Sequence, residues 1–362
     1  MKIDFANLQY QHELYKEEIE EAILKVARNC NFIMGNEVLE LEKSLEDFTG
    51  AKYAVSCSNG TDALLLAMMA FDIKPGDEVI TTPFTFIATA ETIAFLGATP
   101  VFVDIDEKTY NIDPNRIEEK ITSKTKAIIP VSLYGQAANM DKIQDIAKNH
   151  NLKVIIDGAQ SFGCTYKDKT DSNLGDISTT SFFPAKPLGC YGDGGAVFTN
   201  DEEIANKMKS LRLHGQSKRY HHQYIGMGGR LDTIQAAVLN VKLKYYSKDL
   251  ALRQEVASKY TQALKTKTDL ILPFVDEKAT SAWAQYSVRL KNRDEVQVKL
   301  KDIGIPTAVH YPMPLHLQEC FRYLGYKNGA FPISEIVSEE IMSLPMNPYV
   351  TDEEIEYIAK CL

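Results

Sequence analysis

Ser181-Phe182-Phe183-Pro184-Ala185-Lys186-Pro187-Leu188-Gly189 lies a short way after Asp157-Gly158-Ala159-Gln160. Asp157 closes the apolar run Val154-Ile155-Ile156, which reads as a buried strand. In an open α/β sheet, ligands sit beyond the carboxyl ends of the strands, where this aspartate falls. Most lysines are solvated surface charges, but Lys186 is bounded by Pro184, Pro187 and Gly189 and so stands on a tight turn. A fixed lysine amine can condense with an aldehyde, and a strand-end carboxylate can keep a ring nitrogen protonated. Pyridoxal phosphate is the cofactor that uses both. Alone, Asp157 reads equally well as a cap or turn residue.

Outward from this pair, short apolar strands alternate with helical stretches. Tyr53-Ala54-Val55-Ser56, Glu78-Val79-Ile80-Thr81, Val101-Phe102-Val103-Asp104, Ala127-Ile128-Ile129-Pro130-Val131 and Ala196-Val197-Phe198-Thr199 read as strands. The spacing predicts helices over Leu14–Cys30, Asn36–Phe48, Ala63–Phe71, Phe86–Leu96 and Glu202–Leu213. Fully apolar strands between helices predict a mostly parallel sheet covered on both faces. Lys218 to Arg230 reads as an extended loop and Asp232 to Leu264 as one long helix. The tail predicts one strand, Ala284–Leu290, a helix, Asp294–Ile303, and two short helices near the end. The division expected is a large domain over 1–245 and a small α+β domain over 246–362.

The 362 residues are 44% hydrophobic and 25% charged, which is ordinary globular composition and leaves room for both domains. The net charge of -9, with no basic patch, argues against a nucleic-acid partner. No apolar run is long enough to span a bilayer, so no membrane association is expected. Met1-Lys2-Ile3-Asp4-Phe5 lacks the charged-then-apolar order of a signal segment. The six cysteines are scattered without CxxC spacing, which predicts a reduced, cytoplasmic compartment.

Other candidate residues surround the central pair. Ser58-Asn59-Gly60-Thr61 lies between a strand and a helix: Gly60 permits close backbone approach, and Thr61 stands at a helix N-terminus suited to a phosphate. The same residues also make an ordinary helix cap. Gln160 could reach a cofactor oxygen and Ser181 a phosphate; otherwise they are a polar loop residue and a strand serine. Arg219, Tyr220 and His221 form a basic, aromatic stretch suited to a phosphorylated or carboxylated substrate. His214, His221 and His222 lack any metal-ligand spacing, so no metal is expected. His310-Tyr311-Pro312 is a rigid turn showing two polar aromatics.

Taken in order, these motifs resemble the DegT/StrS-type sugar aminotransferases, together with Pro83-Phe84-Thr85-Phe86-Ile87-Ala88-Thr89, Val131-Ser132-Leu133-Tyr134-Gly135, Gly192-Asp193-Gly194-Gly195 and Arg230-Leu231-Asp232-Thr233. The resemblance runs over essentially the whole chain. It implies α/β architecture of PLP fold type I, like aspartate aminotransferase: a mostly parallel central sheet flanked by helices, plus the small C-terminal domain. It implies pyridoxal 5'-phosphate as cofactor, with Lys186 bonded to it and moving the proton, and Asp157 on the pyridine nitrogen. Gln160 would contact the ring oxygen, Phe86 would stack on the ring, and Gly60, Thr61 and Ser181 would bind phosphate. The active unit implied is a homodimer, the loop before Arg230 coming from the neighbouring subunit. Arg219, Tyr220, His221, Arg230, His310 and Tyr311 would face the nucleotide sugar. The family carries an asparagine two residues before the arginine, reaching the phosphate across the dimer; here Gly228 stands there. A backbone N–H of Gly228 or Gly229 is expected to take its place.

Within the family, Phe183 to Asp193, Arg219-Tyr220-His221-His222 and Pro306 to Pro312 are most similar to aminotransferases acting on UDP-2-acetamido-2-deoxy-3-oxo-glucuronate. The reaction implied is ping-pong. L-Glutamate, as donor, leaves its amine on the cofactor, and the UDP-keto-sugar takes it, toward bacterial surface polysaccharides. The alternatives are a 4-keto-6-deoxy nucleotide-sugar aminotransferase, a same-fold dehydratase, a non-catalytic regulator on this scaffold, and a nicotinamide enzyme. Lys186 argues against the dehydratase, which typically has histidine there. Lys186 and Asp157 together argue against the regulator, and the lack of GxGxxG argues against the nicotinamide enzyme.

Overall fold

Seven short runs become strands of one sheet: β1 (Tyr53–Cys57), β2 (Glu78–Thr81), β3 (Thr99–Phe102), β4 (Thr125–Ile128), β5 (Lys153–Asp157), β6 (Ile177–Ser181) and β7 (Gly195–Thr199). The computed structural model describes residues 3–362, so Met1 and Lys2, where the reading of the N-terminus begins, lie outside the described residues. The strand order is β1-β7-β6-β5-β4-β2-β3, and β7 runs antiparallel to both its neighbours while the other pairings are parallel. Asp157 pairs with Thr179 and Cys57 with Gly195. The ends of β1, β5 and β6 therefore meet at one edge of the sheet.

Helices α1 (Leu8–Asn29), α2 (Asn36–Thr49), α3 (Gly60–Ala70), α4 (Ala88–Phe95), α5 (Met140–His150), α6 (Glu202–Leu211) and α7 (Thr233–Leu264) accompany the sheet. Along β5 the side chains alternate between two cores, as a pleated strand requires. Ile155 packs with Leu64, Leu66, Met68 and Ile93 of α3 and α4, whereas Val154 and Ile156 pack with Met140, Ile143 and Ile146 of α5. Burial on both faces explains why the whole run is apolar. Each such side chain contributes about 1.5–3 kcal/mol relative to exposure.

The C-terminal unit contains β8 (Tyr286–Arg289), α8 (Arg293–Asp302), α9 (Pro332–Glu340), β9 (Ile341–Leu344) and α10 (Asp352–Cys361). α7 is continuous across residue 245, the expected division, but its packing changes along its length. Ala236, Leu239 and Tyr246 pack near Phe162 and Phe198 by the large sheet, whereas Val256, Tyr260 and Leu264 pack with Tyr286, Val288, Met342 and Leu344.

Three local expectations are corrected. The strand expected over Val101–Asp104 begins two residues earlier, as β3. Asp104 instead accepts from the Ile333 and Ser334 backbone N–H groups, both at 3.0 Å, at the start of α9. β9, for which no strand was expected between the two terminal helices, pairs antiparallel with β8; no glycine or proline separates it from α9. The loop over 218–230 contains part of a hairpin, Gln216–Lys218 against His221–His222, whose polar strands give no alternation to detect.

Candidate active site

The turn carrying Lys186 is closed by its own backbone. Lys186 N donates to Phe183 O at 2.8 Å, and Cys190 N donates to Phe182 O at 2.8 Å. A Cβ at Gly189 would lie 2.4 Å from Pro184 O, so glycine is required by close approach. From behind, Lys242 on α7 donates to Gly189 O at 2.6 Å. The Lys186 side chain lines a cavity of about 670 Å³ at the strand-end edge of the sheet. Burial pushes its amine below the usual lysine range, and the charge of Asp157 opposes the shift. A lowered pKa raises the fraction of nucleophilic free amine.

Asp157 lines the same cavity and is buried. Thr89 Oγ1 donates to its Oδ2 at 2.7 Å, and Ala159 N donates to its Oδ1 at 3.2 Å. Thr85 and Thr89 hydroxyls are 2.9 Å apart, extending the chain of hydrogen bonds. Burial pushes the Asp157 carboxyl up, and Thr89, Ala159 and Lys186 oppose it. A buried carboxylate without a bonded cation calls for a positive partner in the cavity, which a protonated pyridine nitrogen supplies. Thr89 had no role assigned from sequence; its position four residues after Thr85, at the start of α4, was the available signal.

Gln160 is fixed at both ends of its amide. Its Oε1 accepts from Tyr134 N at 2.7 Å, and its Nε2 donates to Tyr311 Oη at 3.0 Å, which leaves a second N–H. Tyr134 Oη donates to the His310 carbonyl. His310 Nδ1 lies 2.9 Å from Ser343 Oγ. Burial, with the nearby Lys186 charge, pushes His310 down to about 4, so it is neutral at pH 7.

At the other end of the cavity, α3 begins. The Asn59 side chain accepts from Asp62 N at 2.8 Å, and Ala63 N donates to Asn59 O at 3.0 Å. The N–H groups of Gly60 and Thr61, at the cavity wall, have no intrahelical acceptor. A Cβ on Gly60 would lie 2.7 Å from Ser181 Cβ, so glycine lets the helix start meet the end of β6. The Ser181 hydroxyl accepts from Phe183 N at 3.3 Å and keeps its own proton for a ligand. Together these groups could hold a phosphate. Phe86 and Phe183 are 55% and 52% exposed, open apolar faces on the cavity wall. Aldehyde-reactive amine, anionic ring partner, apolar ring wall and phosphate cradle together fit pyridoxal phosphate, and the volume suits a small-molecule site.

The structure thus brings together Lys186, Asp157, Gly60, Thr61, Phe86, Gln160, Ser181, His310 and Tyr311. Arg219, Tyr220, His221, Gly228 and Arg230 do not line this cavity. Gly229 N donates to Arg212 O at 3.0 Å, so of the two expected backbone donors this one is already engaged within its own chain. Gly229 O accepts from Ser58 N at 3.1 Å, which ties the segment to the outside of the phosphate loop. Asp193, part of the Gly192–Gly195 motif, and Gln285 also line the cavity, and the sequence assigns neither a role; among the described residues the buried Gln285 Oε1 has no hydrogen-bond partner. Among the described residues, no helix is long and apolar enough to cross a membrane.

Fold and site together define an aminotransferase of fold type I. The chain belongs to the DegT/DnrJ/EryC1/StrS aminotransferase family, whose model matches residues 13–362. It is 50% identical over 360 residues to the UDP-2-acetamido-2-deoxy-3-oxo-D-glucuronate aminotransferase of Pseudomonas aeruginosa, covering 99% of each chain. It is 41% identical to the UDP-N-acetyl-3-dehydro-alpha-D-glucosamine 3-aminotransferase of Acidithiobacillus ferrooxidans, over 95% of this chain and 92% of that one. Among solved structures it resembles NtdA of Bacillus subtilis with its bound cofactor PMP, with TM-score 0.92, 30% identity, and coverage of 99% of this chain and 84% of that one.

Proposed function

We propose that the chain uses pyridoxal phosphate to transfer an amino group from L-glutamate to C3 of UDP-2-acetamido-2-deoxy-3-oxo-D-glucuronate. The observation that carries this reading is the shared cavity: Lys186, with its lowered pKa, faces the same space as buried Asp157 and the open N–H groups of α3. C3 is supported by the names of both relatives, one for a 3-oxo and one for a 3-dehydro sugar. The resident NtdA cofactor supports the cofactor assignment.

When bound, pyridoxal phosphate supplies an aldehyde and an electron-withdrawing ring that accepts the electron pair released at the substrate carbon. The chain's own residues do the rest. Asp157, whose carboxyl accepts from Thr89 Oγ1 and Ala159 N, would favour a positive charge at the ring nitrogen. Lys186 would hold the cofactor through its Nζ and, once the amino donor has taken that place, the same Nζ would be the group that carries the proton. Gln160 would donate its free N–H to the ring oxygen, Phe86 would cover the ring face, and Gly60, Thr61 and Ser181 would hold the phosphate. His310 and Tyr311 face the sugar as neutral hydrogen-bonding groups.

The remaining predicted residues are placed by a homodimer. In it, the hairpin with Arg219, Tyr220 and His221, the Gly228 backbone and Arg230 approach the site of the neighbouring copy. The hairpin's basic character matches a diphosphate and a C6 carboxylate. The division into domains over 1–245 and 246–362, action in the cytoplasm and service to bacterial surface polysaccharide synthesis belong to the same reading.

Gly60→Ala is expected to raise the dissociation constant of pyridoxal phosphate about tenfold or more, equivalent to about 1.4 kcal/mol, because the new methyl pushes α3 off Ser181. Titration of cofactor-stripped protein measures it; an unchanged constant would remove Gly60 from the cradle. The substrate is tested by incubating the enzyme with glutamate and either the UDP-3-oxo-glucuronate or a UDP-4-keto-6-deoxy-HexNAc, then locating the amine by NMR. Amine at C3 of the first is expected. Amine at C4 of the second alone would replace the substrate assignment.

A further inference from the structure

A second carboxylate lies beneath the loop that carries Asp157 and Gln160, and it has no part in the chemistry above. Asp171 is 1% exposed. Its Oδ1 accepts from Ser132 Oγ at 3.0 Å, and its Oδ2 accepts from Ser161 Oγ. Its main-chain carbonyl accepts from Ser178 Oγ, on β6, at 3.1 Å. Each of these serines belongs to a segment that frames the site. Ser161 directly follows Gln160 and closes the loop by donating its N–H to Gly158 O at 3.1 Å. Ser132 donates its N–H to Asp157 O at 3.0 Å. Ser178 pairs with Ile156, the residue before Asp157. The loop approaches so closely that a Cβ on Gly158 would lie 3.1 Å from Asp171 Oδ2.

We propose that Asp171 is a positioning residue that sets the direction in which Asp157 and Gln160 meet the cofactor ring. It does not line the cavity, so it acts through Ser132, Ser161 and the loop between them. Ser132 and Ser161 are buried, so loss of the carboxylate removes the acceptor of two hydroxyls that lie away from bulk water. Burial pushes the Asp171 carboxyl up to about 6, against its serine hydrogen bonds, and the Asp157 charge adds to the rise. A carboxylate kept where its charge is disfavoured is a poor stabiliser. Its two oxygens do place two hydroxyls, and thereby both ends of the loop.

The inference rests on the proposed cofactor reading, and its test separates the two. Cofactor-stripped wild-type protein and Asp171→Ala are each titrated with pyridoxal phosphate by visible absorbance, and kcat and KM are measured at saturating cofactor. For Asp171→Ala, the dissociation constant is expected to rise about tenfold and kcat to fall on the order of 100-fold, with a smaller change in KM for glutamate. Asp171→Asn, which offers a carbonyl to one serine and an N–H to the other, is expected to recover most of both losses. If Asp171→Ala does not fold, Ser161→Ala is read on the same two quantities and is expected to move both in the same direction. A wild-type dissociation constant and kcat in the variant, even with a lowered melting temperature, would overturn the positioning role. Failure of the wild-type protein to bind pyridoxal phosphate would overturn the cofactor reading and this inference together.

Discussion

Lys186→Ala is expected to lower transamination by at least about 10⁴-fold, because in the proposed reaction it removes both the amine that would bond the cofactor and the base that would move the proton. No neighbouring amine stands in for it among the residues lining the cavity: Lys186 is the one lysine there. Lys242 faces the other side of the turn, bonded to Gly189 O. The fold is expected to survive, since the turn is closed by main-chain bonds and by Gly189 rather than by the lysine side chain. Cofactor binding is expected to weaken but persist through the phosphate cradle and Asp157. Single-turnover assays with preloaded pyridoxamine phosphate and the keto-sugar isolate the proton-transfer role. Near-normal single turnover would show that another group carries the proton.

Asp157→Asn is expected to reduce kcat on the order of 10²–10³-fold, the size of effect that follows loss of one preorganised electrostatic partner. The amide keeps the shape and can still meet Thr89 and Ala159, so what is lost is the charge opposite the ring nitrogen. Stability separates this role from a structural one. Burial raises the Asp157 carboxyl pKa, so the folded chain binds a proton there more readily than the unfolded chain does. The charged form then costs folding stability at pH above the unfolded carboxylate range. A neutral amide is expected to leave the melting temperature of the cofactor-free protein at pH 7 unchanged or higher. A marked drop, with activity retained, would assign Asp157 to the scaffold instead.

Much of the fold was legible because its strands are buried on both faces. A run such as Val154-Ile155-Ile156 has few other places to go, and the residue that ends it, Asp157, is then placed at the ligand edge. The elements missed lacked that signal. β9 carries a short apolar run contiguous with helix, and the hairpin at Gln216–His222 is polar throughout. The site divided along similar lines. Lys186, Asp157 and Gly60 lie on turns and strand ends whose punctuation by proline and glycine reads locally. Thr89, Gln285 and Asp171 reach the site or its support through tertiary packing across many residues, as the pairings Thr89–Asp157 and Ser132–Asp171 illustrate. Arg219 to His221 and Gly228 do not line the cavity of their own chain, and no local pattern could show that.

The most direct measurement is a visible absorption spectrum of the purified protein with pyridoxal phosphate, followed by glutamate and then by UDP-2-acetamido-2-deoxy-3-oxo-D-glucuronate. The expected result is a visible band on cofactor addition, bleaching with glutamate, and recovery with the keto-sugar. No band on addition of pyridoxal phosphate, or a band indifferent to both substrates, would contradict a cavity in which Lys186 and Asp157 work together on that cofactor.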